Sequence, residues 1–304
     1  MRFFRFVVLL TLIVAFGAAC SSQPTATTAP EEASQQESNP GTEPTQAPAV
    51  SDSSSGDSVA LVNGVAIPRN RYERALLRAQ AITSVADPST LRRQVLETLI
   101  EQELIDQAAP GLGVNVTDEE VAAEVEALRG MANSDEEWQQ FLDLNGYTEE
   151  EMFEAQRELL VTQRVRDALM ADYSGEVLQV NARHIVVRTL AEAEEVLDRL
   201  EQGEGFATLA AEYSIDTTTR EIGGNLGWFA RNELLQPELE TVAFDLEPGQ
   251  MAGPVQTSLG YHIIQTMDKE ERPVEPERLS VLSESVFNNW LAGLRASASI
   301  ERYI

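Results

Sequence analysis

The stretch "NARHIVVRTL", residues 181–190, decides how this chain folds. Ile185, Val186 and Val187 form an unbroken apolar run, the pattern of a strand buried on both faces. His184 stands at its mouth. The chain has 304 residues and only two histidines, and the second, His262, opens a similar run in "GYHIIQT". Taken alone, a histidine at a strand start reads as a packed core group. Two of them in like settings raise a sharper question: whether the rings work together.

Outward from this stretch the pattern is mixed α/β. A strand over 178–187 leads to a helix over 190–202 and then to "GFATLAAEYS". A glycine-rich turn, "IGGNLGWF", follows, then the helix "PELETVAFDL" and two strands around "AGPVQT" and "YHIIQTM". Pro273 and Pro276 close the unit. Upstream, Asn63-Gly64 between apolar residues predicts a tight hairpin, after which Pro68 leads into a helix. Leu91, Val95, Leu96, Leu99, Ile100, Leu104 and Ile105 form one stripe at helical period. Capping boxes at Thr117…Glu120, Ser134…Glu137 and Thr148…Glu151 predict three helix starts. Residues 118–158 set many carboxylates against Arg129 and Arg157, without histidine or cysteine, so no catalytic chemistry is assigned there. Residues 277–304 return to helix, with Leu279, Leu282, Val286, Trp290 and Leu294 on one face, and "SIERYI" reads as a short edge strand. That apolar face needs a partner, which the N-terminal helices supply. The expected organisation is a helical domain built from 58–176 plus 277–304, interrupted by an α/β domain over 177–276.

The formal charge is −28, and Lys269 is the only lysine. Such a surface repels phosphate, which excludes nucleic acid as a natural partner. It repels anionic lipid heads as well, so membrane contact requires an anchor. Residues 1–19 suggest one. Arg2 and Arg5 precede "VVLLTLIVAFGAA", an apolar run too short to span a bilayer comfortably, which ends on small residues and Cys20. This reads as a secretory signal. Cys20 is the only cysteine, so no intramolecular disulfide forms, and lipidation accounts for a lone thiol in an exported chain. The "GAAC" ending resembles a bacterial lipobox, with Gly17 where a larger aliphatic residue is usual. Residues 20–57 have almost nothing to bury and read as a disordered, lipid-anchored tether. The chain is therefore expected outside the cytoplasm, held to the cell membrane through Cys20.

"RHIVV", "FATLAAEYSIDTTTREIGGNLGWF" and "AFDLEPGQMAGPVQTSLGYHIIQT" together resemble the parvulin family of peptidyl-prolyl isomerases. The whole layout is similar to PrsA-type lipoprotein foldases and the SurA chaperones. The resemblance implies an α+β chain: a mainly helical chaperone domain with an inserted parvulin βα3βαβ2 domain. It implies an extracytoplasmic cis–trans isomerase and foldase acting on unfolded exported polypeptides with X–Pro bonds, needing no cofactor and no metal. Residue by residue, His184 and His262 match the family's paired histidines, and Asp216 stands where it has cysteine or aspartate. Thr257 matches the hydroxyl that bonds the second histidine. Leu226, Phe229, Leu235 and Leu239 match the walls of the proline pocket, and Gln236 a polar group on its rim. Leucines at 235 and 239 replace the usual methionine and phenylalanine, which keeps the pocket apolar but less aromatic. Only Arg188 precedes the helix after the first strand, where phosphate-directed relatives carry a basic cluster, so no phosphoserine requirement is implied. The resemblance leaves a homodimer through the helical arms open.

Three other readings compete. Two histidines and an aspartate can bind iron or zinc, but the close pairing common in such sites is missing. A hydrolase on His184 and Asp216 needs a serine elbow, which "TSLG" lacks. The third is a holdase whose acidic helical arms shelter unfolded chains around a mainly structural parvulin unit.

Overall fold

The computed structural model describes residues 57–82 and 87–304. The expected signal segment, Cys20 and all but the last residue of the tether lie outside the described residues. The described chain falls within one unit, Asp52–Ile304.

Strands β1 (Ser58–Val62) and β2 (Val65–Pro68) form the hairpin expected from Asn63-Gly64. The turn needs two residues at positive φ, and Asn63 and Gly64 sit at 51° and 85°. Strand β7 (Ile300–Arg302) pairs with the other side of β1, so the end of the described chain closes on its start in the order β2-β1-β7. This small sheet packs on α1 (Arg69–Ile82) and α2 (Pro88–Ala108). The whole stripe read on α2 is buried. Its start is fixed by Asp87, whose carboxylate accepts from the Ser89 and Thr90 amides at 3.0 and 3.2 Å.

Helices α3 (Asp118–Arg129), α4 (Asp135–Asn145) and α5 (Glu149–Met170) begin at the three capping sites. The boxes at Thr117 and Thr148 are complete in both directions. The one at Ser134 is half formed. The Ser134 hydroxyl accepts from the Glu137 amide at 3.2 Å, but the Glu137 carboxylate reaches past it to Asn133. There it finds two donors, the backbone amide at 2.8 Å and Nδ2 at 2.6 Å, against the single amide that Ser134 offers. Trp138, Leu142 and Met152 form a satellite core among these helices.

The sheet around the two histidines contains β3 (Glu176–Val187), β4 (Asn225–Phe229), β5 (Met251–Thr257) and β6 (Gly260–Pro273), all antiparallel, in the order β4-β3-β6-β5. Between β3 and β4 run α6 (Leu190–Glu201), α7 (Phe206–Tyr213) and a 3-10 turn at Arg220–Ile222. Helix α8 (Pro237–Asp245) precedes β5. Side chains alternate across a strand, and the sheet uses both faces. Ile185, Val187 and Ile263 pack with Val196, Phe206 and Leu209 of α6 and α7. Val180, Ala182 and Ile264 pack with Phe229 and with Leu239, Ala243 and Phe244 of α8. Lys269 donates its Nζ to the Phe244 carbonyl at 2.6 Å.

Helix α9 (Pro276–Ser297) packs against α2 and α5, the partners its apolar face required. A further core joins it to the sheet region: Ala230, Val274, Leu282 and Val286, with Leu169, Tyr173 and Val177 against them. Among the described residues no helix is long and apolar enough to cross a membrane. Leu282 is fully buried in this joint. Leu282→Ala is expected to cost about 2–5 kcal/mol, read as a lowered midpoint in chemical denaturation.

Candidate functional site

His184 and His262 lie on neighbouring strands. In the β3–β6 register Val186 is opposite His262 and His184 is opposite Ile264, so the two histidines are diagonal neighbours. Both occupy the face opposite Ile185 and Ile263. Their ring centroids are 5.4 Å apart with planes tilted by 37°, and the two Nδ1 atoms are 3.3 Å apart. His262 is fully buried and His184 nearly so.

Asp216 comes from the segment after α7. Ser214 holds that segment to β3, its hydroxyl accepting from the Val186 amide at 3.3 Å and the Asp216 amide at 3.4 Å. The Ile215 amide donates to the Val186 carbonyl at 2.8 Å. One oxygen of Asp216 accepts from the Thr218 amide at 2.9 Å. The other lies 2.5 Å from the Thr219 hydroxyl and 2.9 Å from His184 Nε2. Partial burial pushes Asp216 up, but the hydrogen bonds from Thr219, His184 and the Thr218 amide together outweigh it and bring the carboxyl down to about 2.

An ionised carboxylate only accepts, and a neutral imidazole has one donor and one acceptor. With one proton on each ring, these two facts set every bond in the row. His184 donates from Nε2 to Asp216, so its Nδ1 accepts. His262 then donates from Nδ1, leaving its Nε2 to accept from the Thr257 hydroxyl at 2.8 Å. The Thr257 oxygen in turn accepts from the Leu259 amide at 3.1 Å. Burial first, and the adjacent His184 second, hold His262 down to about 4 against the opposing pull of Asp216. Each of the four histidine nitrogens therefore has a partner in the row, and no lone pair is left for a metal.

The apolar residues expected to wall a pocket divide three ways. Phe229 and Leu239 are buried in the core between the sheet and α8. Leu226 is half-buried against the same core. Leu235 is 90% exposed and stands outside the core, a departure from the wall position expected of it. The cause is local. Asn232 turns the chain at a φ of 71°, and Leu234 takes the inward place, which leaves its neighbour Leu235 facing water. Gln236 is half-buried at the cap of α8. Val255, opposite His262 in the register, is also half-buried against this core. Thr219 was not singled out in the sequence, although its hydroxyl also lies 3.2 Å from His184 Nε2. A threonine three residues after an aspartate is the signal that could have found it, since such hydroxyls close turns on the carboxylate.

Gly224 lets the backbone beside His184 come close. The His184 amide donates to its carbonyl at 2.8 Å, and a Cβ on Gly224 would stand 2.0 Å from the His184 carbonyl oxygen. Its φ is +77°, a left-handed conformation that glycine adopts without strain.

Residues 184–268 match the rotamase family model, a PPIC-type PPIase domain, and residues 47–166 match a SurA-like N-terminal domain. A foldase protein PrsA from Caldanaerobacter subterraneus is 30% identical over 239 residues, covering 73% of this chain and 76% of that one. The chain belongs to the PrsA foldase family. A second PrsA foldase, from Halalkalibacterium halodurans, is 32% identical over 201 residues, 60% of each chain. A crystal structure of PrsA from Bacillus anthracis aligns at 27% identity over 65% of this chain and 89% of that one, with a TM-score of 0.40. In this PrsA-family chain the rotamase match begins at His184 and contains Asp216, Thr257 and His262.

Two outcomes follow. The unfolded chain takes up a proton at His262 near its ordinary 6.5, the folded chain only near 4. Stability therefore falls as pH drops from 6.5 towards 4. In urea melts the wild type minus His262→Gln difference should slope across that window and be flat above it. Gly224→Ala should lower the unfolding midpoint and broaden the His184 and His262 ring signals in NMR spectra, while an alanine at exposed, open Gly111 should do neither.

Proposed function

We propose that the reaction takes place over the His184–His262 pair, against the apolar edge formed by Leu226, Leu234 and Val255, with Leu235 and Gln236 on the rim. This PrsA-family chain is a peptidyl-prolyl cis–trans isomerase and foldase whose substrates are unfolded polypeptides. Its role is an active isomerase rather than a holdase with an inert parvulin unit. The single observation that supports the site assignment is the directed row from Thr257 to Asp216.

Rotation about an X–Pro bond faces a barrier of about 18–20 kcal/mol set by amide resonance. Resonance places negative charge on the carbonyl oxygen and positive charge on nitrogen. The twisted amide has less of both, so a dry apolar surface favours it relative to the planar form. An ionised Asp216 near the carbonyl opposes charge on that oxygen and acts in the same direction. The imidazoles, each bonded on both sides, form a floor that does not reorganise as the peptide turns. No bond breaks, and a thousandfold acceleration requires only about 4 kcal/mol of differential binding.

The same proposal divides the chain into a helical cradle, 58–176 plus 277–304, around an isomerase unit, 177–276. It also places the protein outside the cytoplasm on a lipid anchor at Cys20. Radiolabelled palmitate should enter the wild type and not Cys20→Ala; an unlabelled wild type would remove the anchor.

The site is tested with a protease-coupled assay on a proline tetrapeptide. His184→Ala should lose at least about tenfold in kcat/KM, since it breaks the row at its centre. Full wild-type rate in that variant would end the assignment.

A further inference from the structure

The segment joining β4 to α8, residues 230–236, carries Leu234 of the apolar edge and Leu235 and Gln236 of the rim. A short loop of this kind usually depends on its own domain for support. This one is held from within by α8 and is tied as well to α9 and Tyr173. Glu233 folds back to accept from the Ala230 amide at 2.6 Å, and the same carboxylate is gripped by Arg278 of α9. Arg278 Nε donates to one oxygen at 2.9 Å and its Nη2 to the other. Its remaining bonds run to Glu275 at 2.6 Å and to Gln179 of β3 at 3.2 Å. A second tether passes through Asn232, whose Oδ1 accepts from Asn289 of α9 at 3.1 Å and whose Nδ2 donates to the Tyr173 hydroxyl at 2.9 Å. Glu240 closes the loop from within, accepting from the Asn232 and Leu234 amides at 2.9 and 3.2 Å.

We propose that Arg278 is a positioning residue for the isomerase: through Glu233 it fixes the 230–236 loop, and with it the rim that grips the residues flanking proline. Arg278 and Asn289 lie outside both family matches, 47–166 and 184–268. The physical basis is the bidentate fork. Two parallel charge-assisted bonds fix direction as well as distance, which a single lysine ammonium does not. Glu233 is largely buried, with its side chain 14% exposed. Without Arg278 it would retain only the Ala230 amide and would be drawn towards water, taking the loop with it. The loop is where the chain reverses so that Leu234 faces the core, so a shift there changes which leucine meets the substrate. The imidazole row shares no bond with this tether and stays as it is.

This inference rests on the proposed site, and the experiment separates the two. The full chain carrying Arg278→Met is compared with wild type on the proline tetrapeptide, with kcat and KM resolved. KM should rise roughly fivefold while kcat stays within about twofold, since the rim loosens and the imidazole floor does not. Arg278→Lys should fall between the two. Asn289→Ala, at an exposed position, should raise KM in the same direction and decides the matter if Arg278→Met does not fold. An active wild type whose folded variants all keep the wild-type KM, or lose only kcat, overturns the coupling and leaves the isomerase reading intact. An inactive wild type overturns both.

Discussion

The charge on Asp216 sets the direction of everything polar around it. Because it is held ionised by Thr219, His184 and the Thr218 amide, it can only accept, and that fixes the tautomer of each ring in turn as far as Thr257. With one proton on each ring the row has a single allowed direction, anchored at one end by the carboxylate. That suits a reaction in which the peptide changes shape and no proton moves. The same requirement explains the surrounding detail. Ser214 pins the segment that carries Asp216 to β3, and Gly224 lets the neighbouring backbone approach closely enough to satisfy the His184 amide.

One face of the sheet only packs, and the other both packs and carries the chemistry. Ile185, Val187 and Ile263 lie against α6 and α7 in a conventional core, while the alternate positions present the imidazoles beside the α8 core. Outside the sheet, stability rests on ordinary burial. The apolar stripes of α2 and α9, which include Leu99, Ile100 and Leu282, are held by the small sheet and by α5. The numerous arginine–carboxylate pairs of the helices are for the most part only partly shielded from water, and most contribute little each. Their main effect is geometric, as with Arg164, which bridges the capping Glu120 on α3 to α5.

Much of this is local and therefore legible in the sequence. Asn63-Gly64 demands a positive-φ turn, hydroxyls followed by glutamate start helices, and period 3.6 shows in the stripe on α2. The paired imidazoles were readable as two like strand openings. What sequence could not supply are choices made between neighbours or across long separations. At Ser134 the glutamate found a better pair of donors one residue away. At Leu234 and Leu235 the fold turns the first inward and leaves the second in water, and two adjacent leucines look alike in any pattern. The bond from Arg278 to Glu233 spans 45 residues and follows no period, so only the folded chain brings it together.

The strand pair that carries the histidines has a mechanical character set by its register. Glu176 lies opposite Pro273 at one end of the ladder and Val187 opposite Tyr261 at the other. The connections to the flanking helices α5 and α9 both leave from the Glu176–Pro273 end. A tensile load transmitted through those exits therefore opens the ladder like a zipper, one rung after another, rather than shearing all rungs at once. The rungs beside His184 and His262 are the last in line, so the imidazoles outlast the fraying of their own stem.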